Sequence, residues 1–508
     1  SFCDPAPPAG SGPPGAFIRL FLALWGISWY TVPYMEDQRV STYRMQGYCM
    51  RFFSGRRSGM AAAENRDSFG RLAYILVKFS LPLMLSGILQ QLYNWADAFI
   101  VGNVVGELAL AAVGSTTSMV NFYVLAITGF TLGLSILFAQ KFGARELEDI
   151  RRILSTFLWV LGGIFLILSV LGVCFAEELL RLLHTTREAL PLAADYLGIV
   201  LAGVPFLAVY NVYSAALRGI GNSRAPFYAV LLSSGVNVAL DVLFVAVWGW
   251  GVAGAAIATV IAQAAMTVFL TGYGIIKYPI LRFRPGRQSF DRTMLAWGCR
   301  FGIPPMLQSS VSSVGSLILQ NFMNGFGTQT VAAVTTAYRV DSIVMVPILN
   351  LGSGISTLVA QNCGAGQNLR ARSIFRVGTA VMAAVSLLLT VLVIPTGGEL
   401  IALFGAGPEA VSIGDAFFRR IACFYVVYGL ANAVRSYLEG MGDVVYSSLA
   451  GMASLVCRII LSYTLVVFFA NMVIAWAEAL SWVLLLLLYV VRAVGKERLG
   501  KAENRFPA

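Results

Sequence analysis

The chain has 508 residues, 58% of them hydrophobic and only 12% charged, with a formal net charge of +11. Soluble domains carry about 25% charged residues. A mean hydropathy of +0.75 therefore excludes a water-exposed surface over most of the chain and makes lipid its main solvent. The basic balance is no nucleic-acid footprint either, because Lys and Arg fall in short clusters between apolar runs and form no stripe.

Residues 1–69 differ in character from the remainder of the chain. A Pro/Gly-rich stretch from Ser1 to Gly15 leads into the apolar run Ala16–Met35, which Arg19 and Pro33 interrupt, and then into Arg51, Arg56 and Arg57. This part reads as a poorly ordered or cytoplasmic extension, or as translated sequence upstream of a start at Met60.

From Arg71 onward, twelve apolar segments are long enough to cross a hydrocarbon core of about 30 Å. In the first half they are 71–101, 108–139, 153–175, 189–216, 225–248 and 252–276. In the second they are 293–323, 330–361, 374–395, 411–437, 443–469 and 472–493. The expected class is an all-α polytopic membrane protein with two pseudo-symmetric six-helix bundles. The expected divisions are 70–276 for the first lobe, 277–292 for a cytoplasmic linker, 293–494 for the second lobe and 495–508 for a cytoplasmic tail. Pro82, inside segment 1, is an expected kink, because proline removes one backbone hydrogen bond and crowds the preceding turn.

Loop charge fixes the expected orientation. With the amino terminus in the cytoplasm, the inward loops carry thirteen basic residues, among them Lys141, Arg151, Arg218, Arg224, Lys277 and Arg370. The outward loops carry only Arg181 and Arg187. This places both termini in the cytoplasm of a multi-pass protein of the cell (inner) membrane.

The seven cysteines form no CxxC pair, and the single histidine, His184, lies in a loop. A His-based metal site or catalytic triad is thereby excluded, and the chain is not expected to be an enzyme. No GxxxxGK[S/T] string supports ATP-driven pumping.

An internal repeat organises the rest. Ala-Gln-Lys-Phe-Gly-Ala at 139–144 returns as Ala-Gln-Asn-Cys-Gly-Ala at 360–365. Leu-Arg-Gly-Ile-Gly at 217–221 returns at the same offset as Leu-Glu-Gly-Met-Gly at 438–442, and Pro82 returns one position further on as Pro304. Six helices per repeat make the two halves parallel, and transporters built this way place substrate between the halves.

Within the membrane, Asp97 and Asp241 are the acids of interest, since an intramembrane carboxylate is costly unless paired, protonated or hydrated. Asn237 lies one turn before Asp241 on the same face of segment 5, and Tyr93 lies one turn before Asp97. Thr259 enters segment 6 to a similar depth. Two carboxylates, an amide oxygen and a hydroxyl form a hard oxygen site for a proton, or for a transient sodium ion as the only metal. Read singly, Asp97 also fits an interfacial cap, and Asn237 with Thr259 fits ordinary interhelical glue. Asp341 either binds a cationic substrate or pairs with Arg339 or a base on another helix. Gln308, Asn94 and Asn211 are the remaining candidates for a substrate cavity.

The ordered strings Asp97-Ala-Phe-Ile-Val-Gly, Leu110-Ala-Ala-Val-Gly, Ala139-Gln-Lys-Phe-Gly-Ala, Leu217-Arg-Gly-Ile-Gly, Asn237-Val-Ala-Leu-Asp241 and Gly254-Ala-Ala-Ile-Ala-Thr259 resemble the multidrug and toxic compound extrusion (MATE) family, in its DinF-like branch. The resemblance covers about residues 70–495. It implies a secondary active exporter that antiports organic, often cationic, small molecules against protons or sodium by alternating access. It implies no cofactor beyond that ion, and a monomer whose partners are its substrates and the lipid bilayer. It also implies ion coupling at Tyr93, Asp97, Asn237, Asp241 and Thr259, with a bend at Pro82 linked to protonation. Coupling through segments 7 and 10 is not supported: segment 7 offers Gln308 but no carboxylate, and segment 10 only Asp415 near its outer end. Two rival readings remain: a flippase for a lipid-linked precursor, which calls for a strongly basic central cavity, and a membrane-embedded enzyme acting on lipids, which calls for a nucleophile–base or metal cluster that one loop histidine does not supply.

Overall fold

The computed structural model describes residues 68–182, 185–283, 290–404 and 407–503. The extension expected over 1–69 therefore lies outside the described residues, apart from its last two positions, as does His184. Among the described residues twelve long helices succeed one another. They are α1 (Phe69–Val104), α2 (Glu107–Gly143), α3 (Leu147–Cys174), α4 (Leu190–Gly219), α5 (Arg224–Asp241, continued as a π-helical stretch Val242–Val247) and α6 (Gly251–Lys277). Then come α7 (Arg292–Asn324), α8 in two pieces (Thr328–Val344 and Val346–Gly364), α9 (Asn368–Ala402), α10 (Pro408–Ile421 and Tyr425–Gly440), α11 (Val444–Phe469) and α12 (Val473–Glu503).

Each expected segment corresponds to one helix, and most of the helices run longer, above all α9 and α12, whereas α5 and α11 do not. Lipid compels helix only within the hydrocarbon core; beyond it water can serve the backbone, and the helix ends are set by caps and turns. Asp291 illustrates a defined start: its Oδ1 accepts from the N–H groups of Thr293 (2.8 Å) and Met294 (3.2 Å), capping α7. Among the described residues nine stretches are apolar and long enough to span, and one of them, Val444–Lys496, contains α11 and most of α12. α7 and α10 are not among them: α7 carries the polar run Gln308, Ser309 and Ser310, and α10 is divided by the 3-10 turn Ala422–Phe424 into pieces of 14 and 16 residues. Large side chains such as Ile167 and Val170 on α3, Leu388 and Val391 on α9 and Val467 on α11 point outward. That inversion of the usual burial rule suits a lipid surround. The chain is an all-α polytopic membrane protein of twelve spanning helices.

The sequence repeat is written into the backbone. Left-handed φ values recur at the offset of the repeated motifs: Gly106 with Gly327, Arg145 with Gly366, Gly221 with Gly442, and Gly249 with Ala470. Gly106 (φ 107°) and Gly221 (φ 93°) occupy conformations that a Cβ disfavours, which explains glycine in both repeats. Arg145 and Ala470 share the positive φ of their glycine partners although each carries a Cβ.

The two halves meet along α1 and α2 on one side and α7 and α8 on the other. The seam is tightest at the end of the bundle that carries the basic turns, called the basic end below. There Gln140 Nε2 donates to the Gly440 carbonyl (3.0 Å), and Gln361 Nε2 donates to the Gly219 carbonyl (2.7 Å). These two bonds are repeat images of each other, so the motifs that reveal the repeat also fasten the halves. Gly133 lies against the Phe301 carbonyl and leaves no room for a Cβ. Small residues permit this approach where lipid supplies no hydrophobic drive. Toward the opposite, far end, the first piece of α8 packs on α9 and α10 of its own half.

Candidate ion-coupling site

α5 packs on both α1 and α6, bringing three polar positions together in the first half. Asp97 lies well inside α1, which runs on to Val104, so it does not cap that helix. Asp241 is the last α-helical residue of α5, at the switch into the π stretch, and is fully buried. Local π geometry is uncommon and concentrates at functional positions. The five-residue register appears in the bond from Trp248 N–H to the Leu243 carbonyl (2.9 Å). Beyond it Phe244 stacks with Trp248 and Trp250 at centroid distances of 5.1 and 4.9 Å. Asn237, also buried, donates from Nδ2 to Thr259 Oγ1 on α6 at 3.4 Å. Asp97 and Asp241 are close enough for their charges to interact, and Tyr196 and Tyr93 stand beside them.

The hydrogen bonding here is deficient in one direction. Both carboxylate oxygens of Asp241, Oδ1 of Asp97 and Oδ1 of Asn237 are buried with no donor among the described residues. Buried acceptors normally have partners, so four orphaned oxygens in one cluster call for a species that supplies positive charge. A proton or a sodium ion fits such an all-oxygen donor set. Among the described residues no group of three or more His, Cys, Asp or Glu is placed to hold a metal ion.

The second half contains a polar cluster of different character. Arg458 on α11 donates from Nη2 to Glu478 on α12 (2.9 Å) and to the Tyr338 hydroxyl on α8 (2.7 Å). One turn along α8, Asp341 Oδ1 accepts from the Tyr425 hydroxyl on α10 at 2.7 Å. Both partners of that last bond sit at helix irregularities, the break of α8 at Met345 and the 3-10 turn Ala422–Phe424 of α10. Asp341 thus has a tyrosine partner, while Arg339 is exposed and makes no ion pair with it.

The other cavity candidates separate. Asn211 on α4 lines a pocket of about 240 Å³ between the halves, with Thr128, Gly129 and Leu132 of α2, Arg218 of α4 and Ser309 of α7. Gln308 turns instead to α10, where its Oε1 accepts from Arg435 Nη2 (3.1 Å) while Arg435 Nε is paired with Glu439 (2.7 Å). Asn94 is exposed. α1 stays helical through Pro82, whose carbonyl accepts from Ser86 Oγ at 2.8 Å. Asp415 is tied to Arg419 (2.8 Å).

The MatE family model matches residues 82–243 and again 304–464, once in each half. The chain belongs to this family. Among its relatives, the probable multidrug resistance protein YpnP of Bacillus subtilis (strain 168) is 30% identical over 379 residues, covering 73% of this chain and 83% of YpnP. An FAD transporter of Shewanella oneidensis is 26% identical over 403 residues, covering 76% of this chain and 85% of its own. The fold matches a crystal structure of MATE in the bent conformation, with TM-score 0.79, 22% identity and coverage of 86% and 99%. It also matches an outward-facing multidrug resistance MATE family transporter, with TM-score 0.78, 22% identity and coverage of 88% and 100%. This MatE protein is therefore a multi-pass membrane transporter, not an enzyme.

Three residues of the MatE chain escape a reading of the sequence. Arg458 and Glu478 lie on different helices, and only their ion pair gives them meaning. Their signal is present all the same, because two opposite charges inside adjacent apolar segments are expected to find each other. Arg218 counts as a loop residue in the sequence, whereas α4 continues to Gly219 and Arg218 lines the pocket between the halves.

Proposed function

We propose that the chain is a secondary active exporter of the cell membrane. It antiports small organic molecules against protons or sodium, as a monomer with its basic end and both termini in the cytoplasm. The observation that carries this reading is the orphaned oxygen cluster of Asp97, Asn237 and Asp241. A cation that binds there in one orientation of the halves better than in the other shifts their equilibrium, and it is coupled to export when the substrate competes with it or biases the two orientations oppositely. The paired bonds of Gln140 and Gln361 hold the seam at the basic end, so substrate is released toward the far end in this state. Closing the far end then requires both bonds to break. Relatives that carry the words multidrug resistance in their names support the substrate class.

The test is efflux of the cationic dye rhodamine 123 from cells or inverted vesicles, under a proton gradient alone and under a sodium gradient alone. Export driven by one gradient, and lost in Asp241→Asn with the protein still inserted, is the expected outcome. Transport indifferent to both gradients would overturn antiport, and so would full coupled export by the Asn variant.

A further inference from the structure

Arg218 occupies the last turn of α4, a place where a basic residue ordinarily offsets the carbonyl end of the helix and reaches polar surroundings. Its surroundings here are different. Its side chain is half-buried and lines the pocket between the halves, beside Asn211, Thr128 and Ser309. Its buried Nε has no hydrogen-bond acceptor, and it forms no ion pair among the described residues. The second half makes the point by contrast. The repeat equivalent of Arg218 is Glu439, and that charge is neutralised by Arg435 one turn earlier. One turn before Arg218 the chain has Ser214, which brings no charge. The repeat therefore cancels its charge on one side of the seam and leaves a guanidinium uncancelled on the other.

An unpaired guanidinium held in a pocket with hydroxyl and amide neighbours is suited to an oxyanion, which it engages by charge-assisted, often bidentate hydrogen bonds. A volume of about 240 Å³ falls below the roughly 300–1,000 Å³ of pockets that take whole drug-sized ligands. The pocket thus accepts one end of a larger molecule whose remainder extends along the seam. We infer that Arg218 forms, with Asn211, Thr128 and Ser309, a subsite for the carboxylate of the transported molecule. The chain accordingly prefers substrates with an acidic end, zwitterions included, over wholly cationic ones. This inference rests on the export reading above and narrows its substrate class.

Two dyes that share one ring system test it: rhodamine 110, with a free carboxylate, and rhodamine 123, its methyl ester. Purified parent protein is expected to bind rhodamine 110 about tenfold or more tightly than the ester, the scale of a hydrogen bond to a charged group. In vesicles, the ratio of rhodamine 110 to rhodamine 123 transport is expected to fall by about the same factor in Arg218→Gln and to recover in Arg218→Lys. Equal affinities in the parent, or a ratio unmoved by Arg218→Gln, would overturn the subsite. A pocket that holds only a free inorganic anion, or an arginine that merely supports the fold, gives that same indifference between the dyes. The parent binding measurement decides the matter even if the Gln variant fails to fold. Failure of the parent to move either dye would count against the export reading, whereas intact transport without discrimination removes only the carboxylate subsite.

Discussion

Asn237 on α5 and Arg458 on α11 hold equivalent places in the two repeats. Around Asn237 the first half gathers two carboxylates, and among the described residues four of the cluster's oxygen atoms are left without donors. Around Arg458 the second half also gathers two acids, but there the protein supplies the positive charge itself. Glu478 is bound at 2.9 Å, and Asp341 is held by Tyr425 at 2.7 Å. The same architecture thus presents bare acceptors on one side and a built-in cation on the other. The helices differ in the same sense: α5 turns π-helical immediately after Asp241, while α11 is regular through its equivalent, Ser462. A site that must bind and release an ion needs unsatisfied acceptors, and a site that holds four helices together needs none.

The largest expected effect separates the two clusters by stability. Glu478→Ala strands a buried guanidinium and is expected to cost about 3–5 kcal/mol, seen as a marked loss of thermal stability in detergent. Replacing Arg458 and Glu478 together by Met is expected to recover most of that loss, because no charge is then left uncompensated. A double variant as unstable as the single one would show that this cluster is more than a mutually neutralised ion pair.

The first-half cluster is expected to behave oppositely. Asp241→Asn leaves the melting temperature at or above that of the parent, since it removes a buried, unpaired carboxylate. Gradient-driven efflux nevertheless drops, by up to about a hundredfold, the upper range of coupling between two sites. A stability loss comparable to that of Glu478→Ala would erase the distinction between the halves.

Smaller effects sharpen the symmetry. Gln140→Leu and Gln361→Leu each remove one side-chain bond to a buried carbonyl, at about 1–3 kcal/mol apiece. Because the two bonds are repeat images, the two losses should agree to within a few tenths of a kcal/mol. Both variants should also spend more time open at the basic end, which labelling of a cysteine placed there would report.

The smallest effect is at the basic surface. Asp443, in the turn between α10 and α11, receives bonds from Arg492 (2.8 Å) and Lys496 (3.0 Å) on α12. Burial alone would raise its carboxyl, but these two bonds and charges outweigh it and hold the group below its ordinary value. A depressed folded value means that the stabilisation is complete above the unfolded value of about 3.9 and disappears as pH falls through the folded one. Asp443→Asn should therefore melt slightly lower than the parent near neutrality, by at most about 1 kcal/mol, with the difference vanishing in acid.

The twelve spans, the repeat and the MATE resemblance were legible in the sequence because lipid imposes a length and a polarity on every crossing segment, independent of neighbours. Spacing along a helix likewise placed Asn237 with Asp241, and the structure adds Thr259 as the hydrogen-bond partner of Asn237. The rest depended on which helix faces which. Arg458 is ordinary until α12 brings Glu478 to it, and Arg218 reads as a loop charge until α2 and α7 close a pocket around it. The division of Asp341, Gln308, Asn94 and Asn211 among separate surroundings belongs to the same level. Composition and period are properties of one segment, whereas charge compensation is a property of pairs drawn from distant parts of the chain. The sequence by itself determined the membrane architecture and the acids that merit attention. Only tertiary packing decided which charges are cancelled and which are left to bind something else.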